Sequence, residues 1–188
     1  MIRIYLAAVV LVPLFLVLYF TAYERELRKS ILYCLFCLYL SAVFALVGIP
    51  NVTYFRPGLN LNLVPFRGML ADLKNSVLNI ALFVPLGVFL PVLWDRFRKW
   101  YPVVMYGFAL SLAIELLQML TYRATDVNDL ITNTLGAAAG FLTAKPIADR
   151  YQPVNGASGG VYGLPLLSFS VMFFLHPFLS PLIWDSLL

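Results

Sequence analysis

Charge is scarce in this sequence. Its 188 residues include 13 Lys and Arg and 9 Asp and Glu, so charged residues make up 12% of the chain. A soluble domain carries about 25%, and a water-soluble globular class is excluded. Histidine is rarer still. His176 stands alone, so the basic, His-bearing motifs of lipid phosphatases are absent. The two cysteines, Cys34 and Cys37, form a C-x-x-C with no second Cys pair or His cluster to complete a zinc site. They fall inside an apolar helix and read as two small core residues. No long basic tract accompanies the net charge of +4 and the pI of about 9.1. The cations sit in short loops beside apolar blocks, a pattern that membrane orientation explains without a nucleic-acid partner.

Long apolar blocks fill the space that charge leaves. The chain is 62% hydrophobic with a mean hydropathy of +0.87. Its apolar residues run in stretches rather than at amphipathic spacing. The expected fold is therefore all-α, a polytopic membrane helix bundle of five to six transmembrane helices. Candidate spans are 4–23, 30–49, 76–94, 101–122, 129–144 and 161–184. The first apolar block has 20 residues and no convincing cleavage site, so it reads as a retained helix rather than a signal peptide. The fifth span is short for a bilayer of about 30 Å, and Pro165, Pro177 and Pro181 interrupt the sixth. The organisation is two N-terminal helices and an outer loop (1–59), a three-helix core (60–144), and a C-terminal loop and apolar helix (145–188).

Eight Lys and Arg fall in loops 24–29, 95–100 and 145–160, against five on the other side. The first set is expected to be cytoplasmic. Segments 50–75 and 123–128 then share the outer face.

Polar residues gather toward that face. Glu115 lies in the apolar run SLAIELLQML. On the span 101–122 it falls about 6 Å outward of the midplane, at a rise of about 1.5 Å per residue. A charge at a helix centre costs about 2.5–3.5 kcal/mol, so it is expected to be paired, protonated or facing a cavity. Gln118 and Tyr122 follow at i+3 and i+7 on the same helical face. Asp126, Asp129 and Asn133 repeat that spacing at the start of the next span. Asp126 also suits an N-cap, and Asp129 suits the first turn beside the helix dipole. The short connection makes the two helices antiparallel neighbours, with Arg123 placed to neutralise an acid. Asn79 stands near the outer end of the third candidate span, which Pro85 and Gly87 are expected to disturb further in. The preceding LNLNLVPF reads as a re-entrant or interfacial loop, with Phe66 at headgroup level and Asn60 and Asn62 turned to a partner. Two alternatives stand: a ligand site, or a structural polar network tying the helices together.

NLVPF at 62–66, NIALFVPLGVFLP at 79–91, IELLQ at 114–118 and R-x-x-D-V-N-D-L-I-x-N-T-L-G at 123–136 resemble the VanZ-like membrane proteins, over roughly residues 60–142. That family more often has D-V-D-D-L where this chain has Asn128, which removes one carboxylate and weakens any multi-carboxylate metal site. The founding member is associated with resistance to the lipid-bearing glycopeptide teicoplanin. The resemblance implies a multi-pass protein of the bacterial cytoplasmic (inner) membrane acting in the cell envelope or in antibiotic tolerance.

Two further motifs have bland readings. GASGGVYG at 156–163 resembles the serine motif of rhomboid proteases, but His176 is 18 residues past Ser158. On one helix that is about 27 Å, where a nucleophile and its base need about 3 Å. GAAAG at 136–140 is a G-x-x-x-G that lets a neighbouring helix approach closely.

The expected function is a non-catalytic envelope protein in the membrane bilayer. It would bind a lipid-linked cell-wall precursor or lipoglycopeptide through Glu115, Gln118, Arg123, Asp126, Asp129, Asn133 and Asn79. No catalytic residue, metal site or cofactor is assigned. The alternatives are a membrane enzyme on a lipid-linked substrate and a small proton-coupled transporter using Glu115.

Overall fold

The computed structural model describes residues 27–50, 57–58, 61–67, 69, 72–121, 125–153 and 162–175. The first candidate span, Arg123, Asn60, Ser158, His176, Pro177 and Pro181 lie outside the described residues. The chain divides into two compact units, residues 56–158 and residues 1–55 with 159–188.

In the second of these units the helix α1, Leu27–Val47, buries Phe36, Cys37, Leu40 and Val43 and leaves Ile31, Leu35 and Leu46 exposed. Neither cysteine forms a disulfide. Gly48 ends the helix with φ 68°, a left-handed C-terminal conformation that glycine adopts without a side-chain clash. It packs in part against a short C-terminal helix, Gly163–Ser170, where Phe44 meets Phe169 edge to face at 6.2 Å. The candidate span 161–184 is thus helical over its first half, passing into a π-helical turn at Val171–Leu175.

The unit 56–158 holds a strand β1, Leu61–Asn62, and helices α2, Leu73–Leu93, and α3, Trp100–Gln118, joined by a 3-10 turn at Asp95–Arg98. A second strand β2, Thr125–Asp126, leads into α4, Val127–Ala148. The two strands pair in parallel, Leu61 with Thr125 and Asn62 with Asp126. This ties the loop before α2 to the loop before α4.

Among the described residues three helices are long and apolar enough to cross a membrane: Arg28–Val47, Leu73–Leu93 and Trp100–Gln118. At 19–21 residues each is about 30 Å long, the thickness of a hydrocarbon core. With the helical fold this makes the chain a membrane protein. Two expectations are corrected. The helix over 129–144 is not short. It extends by two residues at its start and four at its end, to 22 residues, because Asp126 caps it earlier and Lys145 and Pro146 continue the helix. Pro85 and Gly87 do not break α2, which is assigned as helix through both and through Pro91.

Glycine explains how the bundle closes. A Cβ on Gly87 would overlap the carbonyl oxygen of Ala137. A Cβ on Gly136 or Gly140 would overlap the carbonyl of Ile80 or Val84. The contacts climb together along both helices, so α2 and α4 run parallel with their backbones nearly touching. The glycine pair of GAAAG therefore faces α2, as its spacing suggested. The helix α3 runs antiparallel to both, and its Gly107 faces Ala137. Phe83, Leu86, Leu90 and Leu93 of α2, Ile114 of α3 and Phe141 of α4 are buried.

Candidate functional site

This connectivity brings the start of α2, the end of α3 and the start of α4 to one end of the bundle. The chain closes α3 at Gln118, whose carbonyl accepts both the backbone N–H and the hydroxyl of Thr121, each at 2.9 Å. Glu115 is therefore in the last turn of the helix, closer to the end than the span 101–122 implied. Tyr122 lies outside the described residues, and of the expected three-residue stripe the helix holds Glu115 and Gln118. Both are buried, at 3% and 6% exposure.

Glu115 joins the two helices. Its Oε2 accepts the backbone N–H of Asp126 at 3.0 Å, and its carbonyl accepts the Thr125 hydroxyl at 3.1 Å. Asp126 caps α4, with Oδ1 accepting the Asn128 N–H at 2.8 Å. Its other oxygen accepts the Asn62 amide at 3.0 Å. One carboxylate thus serves a helix cap and the strand before α2 at once.

Asn128 extends the network. Its Oδ1 accepts the Phe66 backbone N–H at 2.6 Å, and its Nδ2 donates to the Arg67 carbonyl at 3.0 Å. Asp129, in the first turn of α4, accepts the Asn79 amide of α2 at 2.7 Å. Deeper between α3 and α4, Asn133 donates to the Ser111 hydroxyl at 2.9 Å. Its Oδ1 is buried without a hydrogen-bond partner.

Six of the seven residues singled out in the sequence thus lie toward this end, five of them in three contacts: Glu115–Asp126, Asn79–Asp129 and Asn133–Ser111. Gln118 closes α3 beside the first. Exposure sorts them. Asn79, Asp126 and Asp129 are partly exposed, with Asn62 beside them, whereas Glu115, Gln118 and Asn133 are buried. Sequence reasoning passed over Ser111, which lies one turn before Glu115 on the same face. It also treated Asn128 only as a missing acid. An amide offers both a donor and an acceptor, and here both are used.

No group of three or more His, Cys, Asp and Glu side chains able to hold a metal ion occurs among the described residues. At the opposite end of the bundle Arg98 pairs with Asp95 at 3.4 Å and donates to the Tyr151 carbonyl, while Lys145 pairs with Asp149 at 2.8 Å.

The VanZ/LLP1 family model matches residues 30–148, which include most of α1 and all the contacts at the polar end of the bundle. The chain belongs to the VanZ/LLP1 family. The match extends further toward the N-terminus than the four motif segments. The chain is also 34% identical over 87 residues to Protein VanZ of Enterococcus faecium, covering 46% of this chain and 51% of that protein. It thus spans about half the length of that curated relative. No solved structure matches the chain.

Proposed function

We propose that this protein is a multi-pass component of the bacterial cytoplasmic membrane that binds a lipid-linked cell-wall precursor or lipoglycopeptide at the outer leaflet, contributing to teicoplanin-type glycopeptide tolerance. The observation that carries the reading is the gathering of Asn62, Asn79, Asp126 and Asp129, all partly exposed, at one end of an apolar bundle. An amphipathic ligand needs hydrogen-bonding groups at the membrane edge and apolar surface beside them. Leu61 of β1 and Leu73, Val77 and Leu78 of α2 supply the latter, each at least 47% exposed. Asn79, Asp126 and Asp129 would meet sugar or peptide groups. Glu115 and Gln118 would hold the helices in register behind them. Arg123, between α3 and β2 in the chain, would meet a phosphate or carboxylate. Membership of the VanZ/LLP1 family supports the envelope role. The excess of Lys and Arg in loops 95–100 and 145–160 supports an outward orientation for the polar end.

The test is binding of an undecaprenyl-linked cell-wall precursor and of teicoplanin to the purified protein in lipid nanodiscs. Saturable binding of either that weakens in Asp129→Asn is the expected result. Absence of binding by both ligands sinks the reading.

A further inference from the structure

Between β1 and α2, the residues 63–67 combine an apolar tip with backbone groups held by partners inside the protein, the Phe66 N–H and the Val64, Phe66 and Arg67 carbonyls among them. Leu63 is 66% exposed, Val64 51% and Phe66 67%, and Pro65 lies between them, also exposed. Phe66 is the one non-glycine residue with positive φ, 64°, among the described residues. A bulky side chain adopts this left-handed conformation only where its surroundings enforce it. Here the enforcing group is Asn128, buried at 6% exposure, 62 positions away in sequence. It accepts the Phe66 N–H and donates to the Arg67 carbonyl.

Two more backbone pairs close the tip locally. The Arg67 N–H donates to the Val64 carbonyl and the Met69 N–H to the Phe66 carbonyl, both at 3.3 Å. The near side is held by the strand pair and by the Asn62–Asp126 bond. A loop in water has no need of such provision, because water partners its backbone. Hydrocarbon supplies no partners, so a segment entering it must satisfy these groups from within the protein. The exposed side chains agree: three large apolar residues at the tip are followed by exposed Arg67, a cation of the kind that extends to lipid phosphate. The chain then enters α2, whose Leu73, Val77 and Leu78 are exposed as well.

We propose that Leu63–Phe66 is a membrane-inserting tip that enters the acyl region of the lipid leaflet at this end of the bundle, and that Asn128 is the positioning residue that holds it in the inserting shape. The occupant of the apolar surface is the bilayer lipid itself. The assignment requires only that the chain is a membrane protein, and it stands or falls separately from the proposed envelope ligand.

The test uses the full chain in phospholipid nanodiscs, with Cys34 and Cys37 replaced by alanine and an environment-sensitive fluorophore on Phe66→Cys or Leu63→Cys. The expected result is blue-shifted emission, quenched by lipids carrying a nitroxide near the top of the acyl chain and insensitive to iodide in the water. Adding Asn128→Ala is expected to shift the emission to the red and restore iodide quenching, with helical content by circular dichroism unchanged. Where that variant does not fold, Asn128→Asp takes its place, since it keeps an acceptor for Phe66 and loses the donor to Arg67. Quenching by iodide rather than lipid in the parent overturns insertion, and so does a label reached by neither quencher. Emission unchanged in the folded Asn128 variant overturns the positioning role.

Discussion

The carboxylate of Glu115 accepts the backbone N–H of Asp126 at 3.0 Å, joining the last turn of α3 to the first residue before α4. An acid at the carboxyl end of its own helix is disfavoured by the helix dipole. Glu115 sits there because the amino end of the next helix is its neighbour, whose partly buried Asp126 N–H takes its carboxylate as acceptor. The bond leaves the Asp126 side chain to cap α4 and to receive Asn62.

Replacing Glu115 separates these effects. Glu115→Ala leaves the Asp126 N–H without its acceptor and is expected to cost about 1–3 kcal/mol. Glu115→Gln keeps an acceptor oxygen and is expected to lose about 1 kcal/mol, the difference between a charged and a neutral hydrogen bond. Reversible unfolding in detergent micelles checks both, and equal losses in the two variants would contradict the assignment.

The helix pair α2–α4 admits no methyl group at its crossing. Gly87→Ala and Gly140→Ala each place a Cβ into a backbone carbonyl of the partner helix. The expected cost is about 1–3 kcal/mol for each, as for other overpacked cores. Gly163→Ala, with nothing within 4 Å of its Cβ, is the control and should be near neutral in the same unfolding measurement.

Asn133 behaves differently. It makes one interhelical bond and buries an unpartnered oxygen. Interhelical side-chain bonds in membranes average about 0.6 kcal/mol, whereas a buried unsatisfied acceptor costs about 1–3 kcal/mol. Asn133→Leu is therefore expected to leave stability unchanged or to raise it. A clear loss of stability on the same unfolding assay would show that the polar pair holds the bundle together.

The orientation can be read with membrane-impermeant thiol reagents. Cysteine introduced at Pro57 is expected to react from outside intact cells, and cysteine at Tyr151 only after the membrane is opened. The reverse pattern would place the polar end in the cytoplasm and remove the outer-leaflet ligand.

The helical architecture and three of its spans were legible because a continuous apolar run is a strong signal. The candidate ranges 30–49, 76–94 and 101–122 lie within a few residues of α1 and α2 at both ends and of α3 at its start. The helix ends were less legible. Leu120 through Tyr122 reads as apolar continuation, yet α3 stops at Gln118 because Thr121 takes up its terminal carbonyl, and this moves Glu115 into the last turn. Pro85 and Gly87 look like breakers in sequence. In the bundle α2 continues through Pro85, and Gly87 marks the place where α4 touches. The pairing of Glu115 with the start of α4 followed from a short connection and matching spacing. Asn62 with Asp126, and Asn128 with Phe66 and Arg67, span more than sixty positions and carry no local pattern, so only the folded chain brings them together.

A polar end that acts on an envelope ligand, rather than only joining helices, needs its partly exposed carboxylates for function and not for folding. Asp126→Asn and Asp129→Asn test this most directly. Asparagine keeps an acceptor oxygen for the Asn128 N–H at position 126 and for the Asn79 amide at position 129, so both variants should accumulate while losing the carboxylate. The measurement is teicoplanin susceptibility of bacteria producing the parent or either variant at matched membrane abundance. The parent is expected to raise tolerance and both variants to lose it. Tolerance equal to the parent in both variants, or none conferred by the parent, would contradict the ligand role.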